Sequence, residues 1–175
     1  MVLPQDHAPA VMKTRLLPLN KPSSFLASLR AASVQTEEFR LHLREARESE
    51  VTPEALQLCG PSSRICVLGF VLPKRVCKHA VRRNLIRRVA RACLHDHLKS
   101  MPGWPVTPPV LVFKLTRKLP ETFTSAASPA LAQYVRVRIQ ALLQQYARRS
   151  MSSATLPQPK VLEQVDLPRK TEGRP

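Results

Sequence analysis

The densest run of residues that could do chemistry is a basic stretch at 74–91, KRVCKHAVRRNLIRRVAR, which contains no acidic residue. Lysine and arginine bind phosphate through charge, and the planar guanidinium of arginine adds paired hydrogen bonds to phosphate oxygens. Asparagine can add a hydrogen bond to a base or a ribose. We predict that eight residues of this stretch bind nucleic acid: Lys74, Arg75, Lys78, Arg83, Asn84, Arg87, Arg88 and Arg91.

Residues 79–98 are predicted to form a helix, and the helical period sorts them into two sides. One side is an apolar arc consisting of Val81, Leu85, Ile86, Val89, Ala92 and Cys93. The other side carries what we call the basic ridge, consisting of Arg83, Asn84, Arg87, Arg88 and Arg91. Like charges four residues apart destabilise an isolated helix. We therefore expect the ridge to face a polyanion.

Overall composition favours the same partner. The chain of 175 residues has 28 Lys plus Arg against 12 Asp plus Glu, a net charge of +16, which is typical of a nucleic-acid-binding protein. A membrane surface is the rival polyanion, but the apolar arc lacks the Trp and Phe of interfacial helices. The longest apolar run, 65–72, is too short to span a bilayer, and the first residues lack the apolar core of a signal peptide. We predict a cytoplasmic protein with no membrane partner.

Cysteine and histidine spacing argues against a metal site. The four cysteines form no CxxC pair. Cys77 and His79, like Cys93 and His95, are two residues apart, so on a helix they point away from each other. Hydrolysis with protein-bound magnesium needs clustered carboxylates, which the basic stretch and the strands beside it lack. We predict no metal and no catalytic residue on this chain.

Hydrophobic periodicity predicts the element order α-β-β-α-β-α, a small α/β (α+β) two-layer sandwich with helices on a central sheet. The first helix begins at residues 21–25 with a serine N-cap, and a half-buried strand follows at 36–46. A buried strand at 64–72, the basic helix and a strand at 110–116 form a parallel crossover. The last helix begins at Ser128 and Pro129. Three regions are predicted: a flexible arm (1–18), one domain (19–149) and a disordered tail (150–175).

The string LGFVLPKRVCKHAVRRNLIRRVARACL resembles the segment that characterises the protein subunit of bacterial ribonuclease P. In that family a buried strand precedes a basic pair, a short loop and a helix with the pattern Arg-Asn-Arg-x-Lys-Arg-x-x-Arg. Lys74 and Arg75 match the pair. The helix matches are Arg83, Asn84, Arg87, Arg88 and Arg91. Residues 21–25, 38–41 and 110–114 resemble the flanking elements, so the resemblance covers roughly 19–149.

Three residues depart from the family pattern. Leu85 stands where the family has the second arginine of Arg-Asn-Arg, and this removes one expected phosphate contact. Cys77 stands where many members have glycine, which affects the shape of the loop. Leu29 replaces an aromatic residue that accompanies the first-helix phenylalanine in some members.

The resemblance implies a left-handed strand-helix-strand crossover, against the usual rule. It also implies a function as a subunit of an endoribonuclease, in which this chain binds the catalytic RNA and the 5′ leader of precursor tRNA. The RNA partner carries out phosphodiester hydrolysis with Mg²⁺, and the protein alone binds no cofactor and is monomeric. The leader lies in a cleft between the first helix and the sheet, to which we assign Phe25, Phe39 and His42.

Alternatives remain for both the cleft and the function. Phe25 and Phe39 are either core residues or platforms that stack on leader bases. A general basic RNA- or DNA-binding module, such as a ribosome-associated or nucleoid protein, would also carry a basic ridge. A nuclease that acts without RNA is the third possibility.

Overall fold

A computed structural model describes residues 14–51, 53, 63–100, 107–125 and 127–153. The described strands and helices fall in the order β1, α1, β2, β3, β4, α2, β5, α3, with a 3₁₀ turn at Glu48–Glu50 between β3 and β4. The strands are β1 (Thr14–Pro18), β2 (Ser33–Gln35), β3 (Phe39–Glu45), β4 (Arg64–Val71) and β5 (Pro109–Leu115). The helices are α1 (Pro22–Arg30), α2 (Ala80–Ser100) and α3 (Pro129–Ser153).

The five strands form one mixed sheet in the order β1-β4-β5-β3-β2. The strand β4 lies at the second position and pairs in parallel with both β1 and β5. The strand β3 pairs antiparallel with β5 and with β2. The predicted parallel crossover β4-α2-β5 is therefore confirmed. The left-handedness of this crossover stays a prediction. The apolar run of β4 is buried along most of its length, as expected for a strand covered on both faces.

Helices cover both faces of the sheet. On one face, α2 and α3 pack on side chains such as Cys66, Leu68, Leu111 and Phe113. On the other face, Phe25 and Leu29 of α1 pack against a smaller cluster formed by Leu19, Val51, Val67, Val110 and Val112. The mixed α and β class is confirmed, but the two-layer description is incomplete, because α1 forms a partial third layer.

Two edge strands are missing from the predicted order. Residues 14–18, assigned to a flexible arm, form β1 and pair with β4 through the register Thr14↔Arg64 to Pro18↔Leu68. The strand β2 has three residues and pairs with β3 as a short hairpin. Neither segment is long enough to show a clear alternation, so pairing with the sheet, rather than local pattern, determines their structure. Residues 1–13 of the arm lie outside the described residues.

The helix ends agree with the sequence in one case and differ in another. Ser128 caps α3 as predicted, because its Oγ accepts a hydrogen bond from the Leu131 backbone N–H at 3.1 Å. In α1 the N-cap is Lys21, and Pro22 takes the first helical position, so the predicted serine cap is wrong. The helix α3 continues to Ser153, into the region assigned to a disordered tail. Residues 154–175 lie outside the described part of the chain.

Candidate nucleic-acid interface

The buried side of α2 holds the helix between the sheet and α3. Its buried residues are Leu85, Ile86, Val89, Ala90, Cys93, Leu94 and Leu98. Two members of the predicted apolar arc are instead exposed, Val81 at 54% and Ala92. The arc is rotated because α2 packs against α3 as well as the sheet, which buries Ala90 and Leu94.

The basic ridge lies on the side of α2 that is away from this core. Arg88 and Arg91 are exposed, and Arg87 donates a hydrogen bond to the Asn84 side-chain oxygen at 2.9 Å. The Arg91 guanidinium carbon lies 5.4 Å from the centre of the Phe70 ring, a cation–π contact that orients it. These contacts leave donors of each guanidinium available to a ligand.

No carboxylate neutralises the ridge within the part of the chain that the structure describes. The ion pairs found there join Arg44 to Glu50 and Arg138 to both Glu37 and Glu38. The first pair joins β3 to the 3₁₀ turn, and the other two join α3 to the residues directly before β3. None of these pairs includes a residue of the ridge. The described carboxylates therefore form no ion pair with the ridge, and its uncompensated positive charge favours the binding of a polyanion.

Arg83 differs from the rest of the ridge. Its Nη1 donates to the backbone carbonyls of Cys77 and Lys78, at 2.8 and 2.7 Å. These bonds tie the first turn of α2 to the loop that leads into it. The loop carries the exposed side chains of Lys74, Arg75 and Lys78 and is therefore held beside the ridge. The structure brings all eight residues of the predicted set onto this loop and the exposed side of α2.

Two of the three departures from the family pattern, Leu85 and Cys77, are buried beside the ridge and its loop. Leu85 is 4% exposed and packs in the main core, so it cannot contact a ligand on the ridge. Cys77 is 5% exposed, and burial raises the pKa of its thiol although Arg83 and Arg82 oppose this effect. Cys77 thus fills the space under the loop as a small apolar residue.

The α1 face of the sheet holds two of the three predicted cleft residues. The Phe25 ring rests on β4 at Gly69, where an added Cβ would lie 2.8 Å from Phe25 Cε1. A side chain at position 69 would displace the ring, so the absence of a Cβ at Gly69 allows Phe25 to pack on β4. His42 lies on the same face of the sheet but is only 3% exposed. Burial lowers the pKa of His42, and the nearby charges of Arg40 and Lys114 lower it further. A contact with the Ala31 backbone has the opposite effect and raises the pKa.

Phe39 does not belong to this cleft. Its side chain is fully buried in the core on the opposite face, together with Leu41 and Phe113. Successive residues of a strand point to opposite faces, so Phe39 and His42 cannot share one. The assignment of Phe39 to the leader cleft is wrong.

Sequence reasoning missed the polar residues that join α1 to the sheet. Arg44 donates from Nε to Ser28 Oγ at 2.8 Å and from Nη1 to Glu50 Oε2 at 2.6 Å. These bonds link α1, β3 and the 3₁₀ turn. Arg40 and Lys114, a cross-strand pair beside His42, were missed as well. The alternation along β3, which places Arg40, His42 and Arg44 on one face, was the available signal.

The described residues contain neither a cluster of metal-ligand side chains nor a helix suited to span a membrane. No group of three or more His, Cys, Asp or Glu side chains there is arranged to hold a metal ion. Among the described helices, none is both long enough and apolar enough to cross a membrane.

Comparison with known proteins places this arrangement in a family. The model of the family described as Ribonuclease P matches residues 14–123. The ribonuclease P protein component of Paraburkholderia xenovorans strain LB400 is 35% identical over 88 residues, which cover 50% of this chain and 60% of that protein. The same component of Burkholderia mallei strain SAVP1 is 34% identical over 88 residues, covering 50% and 62%. The aligned region thus spans about three-fifths of these relatives.

Solved structures of similar shape include two ribonuclease P proteins. The protein from Staphylococcus aureus has a TM-score of 0.49 and 15% identity, with 74% of this chain and 94% of that chain covered. The protein from Thermotoga maritima has a TM-score of 0.49 and 21% identity, with 73% and 96% covered.

Proposed function

This chain belongs to the Ribonuclease P family, and on that premise we propose that it is the protein subunit of ribonuclease P. In this role it binds the catalytic RNA and the 5′ leader of precursor tRNA, and it promotes endonucleolytic removal of the leader. The observation that carries the proposal is the basic ridge, in which the family's arginine pattern lies on the exposed side of α2 and forms no ion pair with a described carboxylate.

The ridge and its loop form the surface for the catalytic RNA. Guanidinium groups at successive turns of a helix, about 6 Å apart, can each reach a different phosphate of a folded RNA. Lys74, Arg75 and Lys78 extend the charged surface beyond the start of α2. Leu85 supplies no positive charge to this surface, because its side chain packs in the core.

The leader cleft on the α1 face is supported by Phe25 and His42, with Arg40 and Lys114 as its cationic groups. Phe25 is half-buried over Gly69 and offers the exposed part of its ring to a base. A leader phosphate near His42 would oppose the effect of Arg40 and Lys114, so binding should raise the pKa of His42.

The chemistry is assigned to the RNA partner and its Mg²⁺ ions, with the protein contributing affinity and substrate discrimination. The described residues lack the clustered carboxylates that protein-borne metal hydrolysis requires. We propose in addition that the chain is monomeric before it joins the RNA, and that it acts in the cytoplasm.

Reconstitution with a bacterial ribonuclease P RNA tests this function. At low Mg²⁺, where the RNA alone cleaves slowly, the protein should increase the rate of 5′-leader removal from precursor tRNA. The Arg87→Ala/Arg88→Ala variant should lose most of that increase. A protein that binds RNA but leaves cleavage unchanged would instead be a general basic RNA- or DNA-binding module. Cleavage by the protein without added RNA would indicate a protein-only nuclease.

A further inference from the structure

A cavity of about 370 Å³ lies next to the ridge, between the loop before α2 and the connection from β5 to α3. Arg75, Val76, Cys77, Lys78 and His79 form its wall on the loop. Arg82 of α2 also lines the cavity. The opposite wall is formed by Lys118, Leu119, Glu121, Phe123 and Thr124. Its volume is at the lower end of the range for small-ligand sites, about 300–1,000 Å³.

The cavity is apolar at its base and cationic at its rim. Cys77 and Leu119 are buried, and Phe123 is half-buried with its ring 5.2 Å from that of Tyr134. The side chains of Arg75, Lys78 and Lys118 are exposed around the opening, with Glu121 as the one acid among the lining residues. This combination suits a ligand with a flat apolar part and an anionic part.

Arg82 and Arg83 fix the two walls of the cavity to the start of α2. The Nη2 of Arg82 donates to the backbone carbonyls of Phe123 and of Ser125, the latter at 3.2 Å. Arg83, the next residue, donates to the carbonyls of Cys77 and Lys78 on the other wall. The cavity is therefore fixed by the same helix turn that begins the ridge, because Arg82 lines the cavity and Arg83 belongs to the ridge.

We propose that this cavity binds one nucleotide turned out of the RNA that lies on the ridge. The base packs against Phe123, Leu119 and Val76, and its phosphate binds Lys118, Arg75 and Lys78. Aromatic and apolar surfaces accept an unstacked base of any sequence, and clustered cations hold its backbone. The inference rests on the proposed function, since the ridge must first bind RNA.

Binding of mononucleotides to the full chain tests the chemistry of the cavity. AMP, GMP, CMP and UMP are titrated separately and followed by the amide resonances of Leu119 and Phe123. Lys118→Ala should weaken binding about three- to ten-fold, the usual net effect of losing one solvent-exposed hydrogen bond. Glu121→Gln should strengthen it, because the carboxylate repels phosphate. Lys99→Ala, which removes an exposed lysine at the far end of α2, should change nothing. Inorganic phosphate that binds as tightly as all four nucleotides would overturn the role of the base.

A second arm identifies the source of the nucleotide. Chemical probing of ribonuclease P RNA should show one nucleotide whose reactivity changes on binding the wild-type protein but not Lys118→Ala. A bound RNA with no such position would overturn the extruded nucleotide and leave free mononucleotides as the ligand. Loss of RNA binding in Arg87→Ala/Arg88→Ala is read separately, so a failure of the ridge is distinguishable from a failure of the cavity.

Discussion

At the scale of single residues, Gly69 shows how one missing side chain shapes the α1 face. A Cβ at this position would lie 2.8 Å from the Phe25 ring and 3.1 Å from Leu19 Cδ2. We predict that Gly69→Ala lowers the free energy of unfolding by about 1–3 kcal/mol, the usual cost of overpacking. Urea denaturation measures this change. The loss should shrink in a Phe25→Ala background, and an equal loss in both backgrounds would show that the two residues do not conflict.

The Arg44–Glu50 pair makes a pH-dependent contribution to stability. The hydrogen bond from Arg44 is the main cause that holds the pKa of Glu50 at about 2, below its ordinary value of 4.5, although burial opposes it. The folded form therefore binds the proton more weakly than the unfolded form. The stabilisation is present above pH 4.5 and is lost as the pH falls towards 2.

We predict that Glu50→Gln reduces this acid sensitivity. The wild-type chain should lose about 2–3 kcal/mol more of its unfolding free energy between pH 5 and pH 2 than the variant does. Thermal or urea unfolding across this range measures the difference. Parallel pH profiles of the two proteins would contradict the assigned pKa.

At the scale of elements, Arg83 links the loop of residues 74–79 to α2. We predict that Arg83→Ala lowers the free energy of unfolding by about 1–2 kcal/mol, because two backbone carbonyls lose a charged donor. Arg87→Ala, the matched control one turn later, should stay within about 0.5 kcal/mol of wild type. Unfolding curves that place both variants at the same stability would show that Arg83 has no structural role.

The sequence predicts α2 well and the small edge strands poorly, for physical reasons. Its basic run and apolar positions follow the helical period over many residues, so the signal is strong. By contrast, β1 and β2 have only five and three residues. The strand β1 is defined by hydrogen bonds to the distant strand β4, and β2 is defined by its pairing with the neighbouring strand β3. The rotated arc of α2, with Val81 exposed, depends on where α3 packs, which the α2 sequence alone does not specify.

The candidate site also has one part that the sequence predicts and one part that it does not. The ridge could be predicted because charge and spacing along one helix are local properties. The cavity next to it could not, because residues 75–79 and 118–124 come together only in the folded chain. The alternation along β3 separates Phe39 from His42, but which of the two faces α1 covers depends on the folded chain, and α1 packs on the face opposite Phe39.

At the scale of the whole molecule, the two proposed RNA surfaces lie on helices that pack on opposite faces of one sheet. The ridge of α2 is assigned to the catalytic RNA, and the α1 face is assigned to the leader. The net charge of +16 supplies general attraction to any polyanion. Specific binding must come from the positions of individual arginines, and this separates the proposed role from non-specific binding.

The salt dependence of binding to ribonuclease P RNA tests the ridge most directly. Each phosphate contact adds about one unit to the slope of log affinity against log salt concentration. Arg87→Ala and Arg88→Ala should each lower RNA affinity and reduce the slope by about one. Arg30→Ala, an exposed arginine on α1, should leave the slope unchanged. Unchanged slopes in both ridge variants, or an equal reduction in Arg30→Ala, would contradict the assignment of the ridge to RNA.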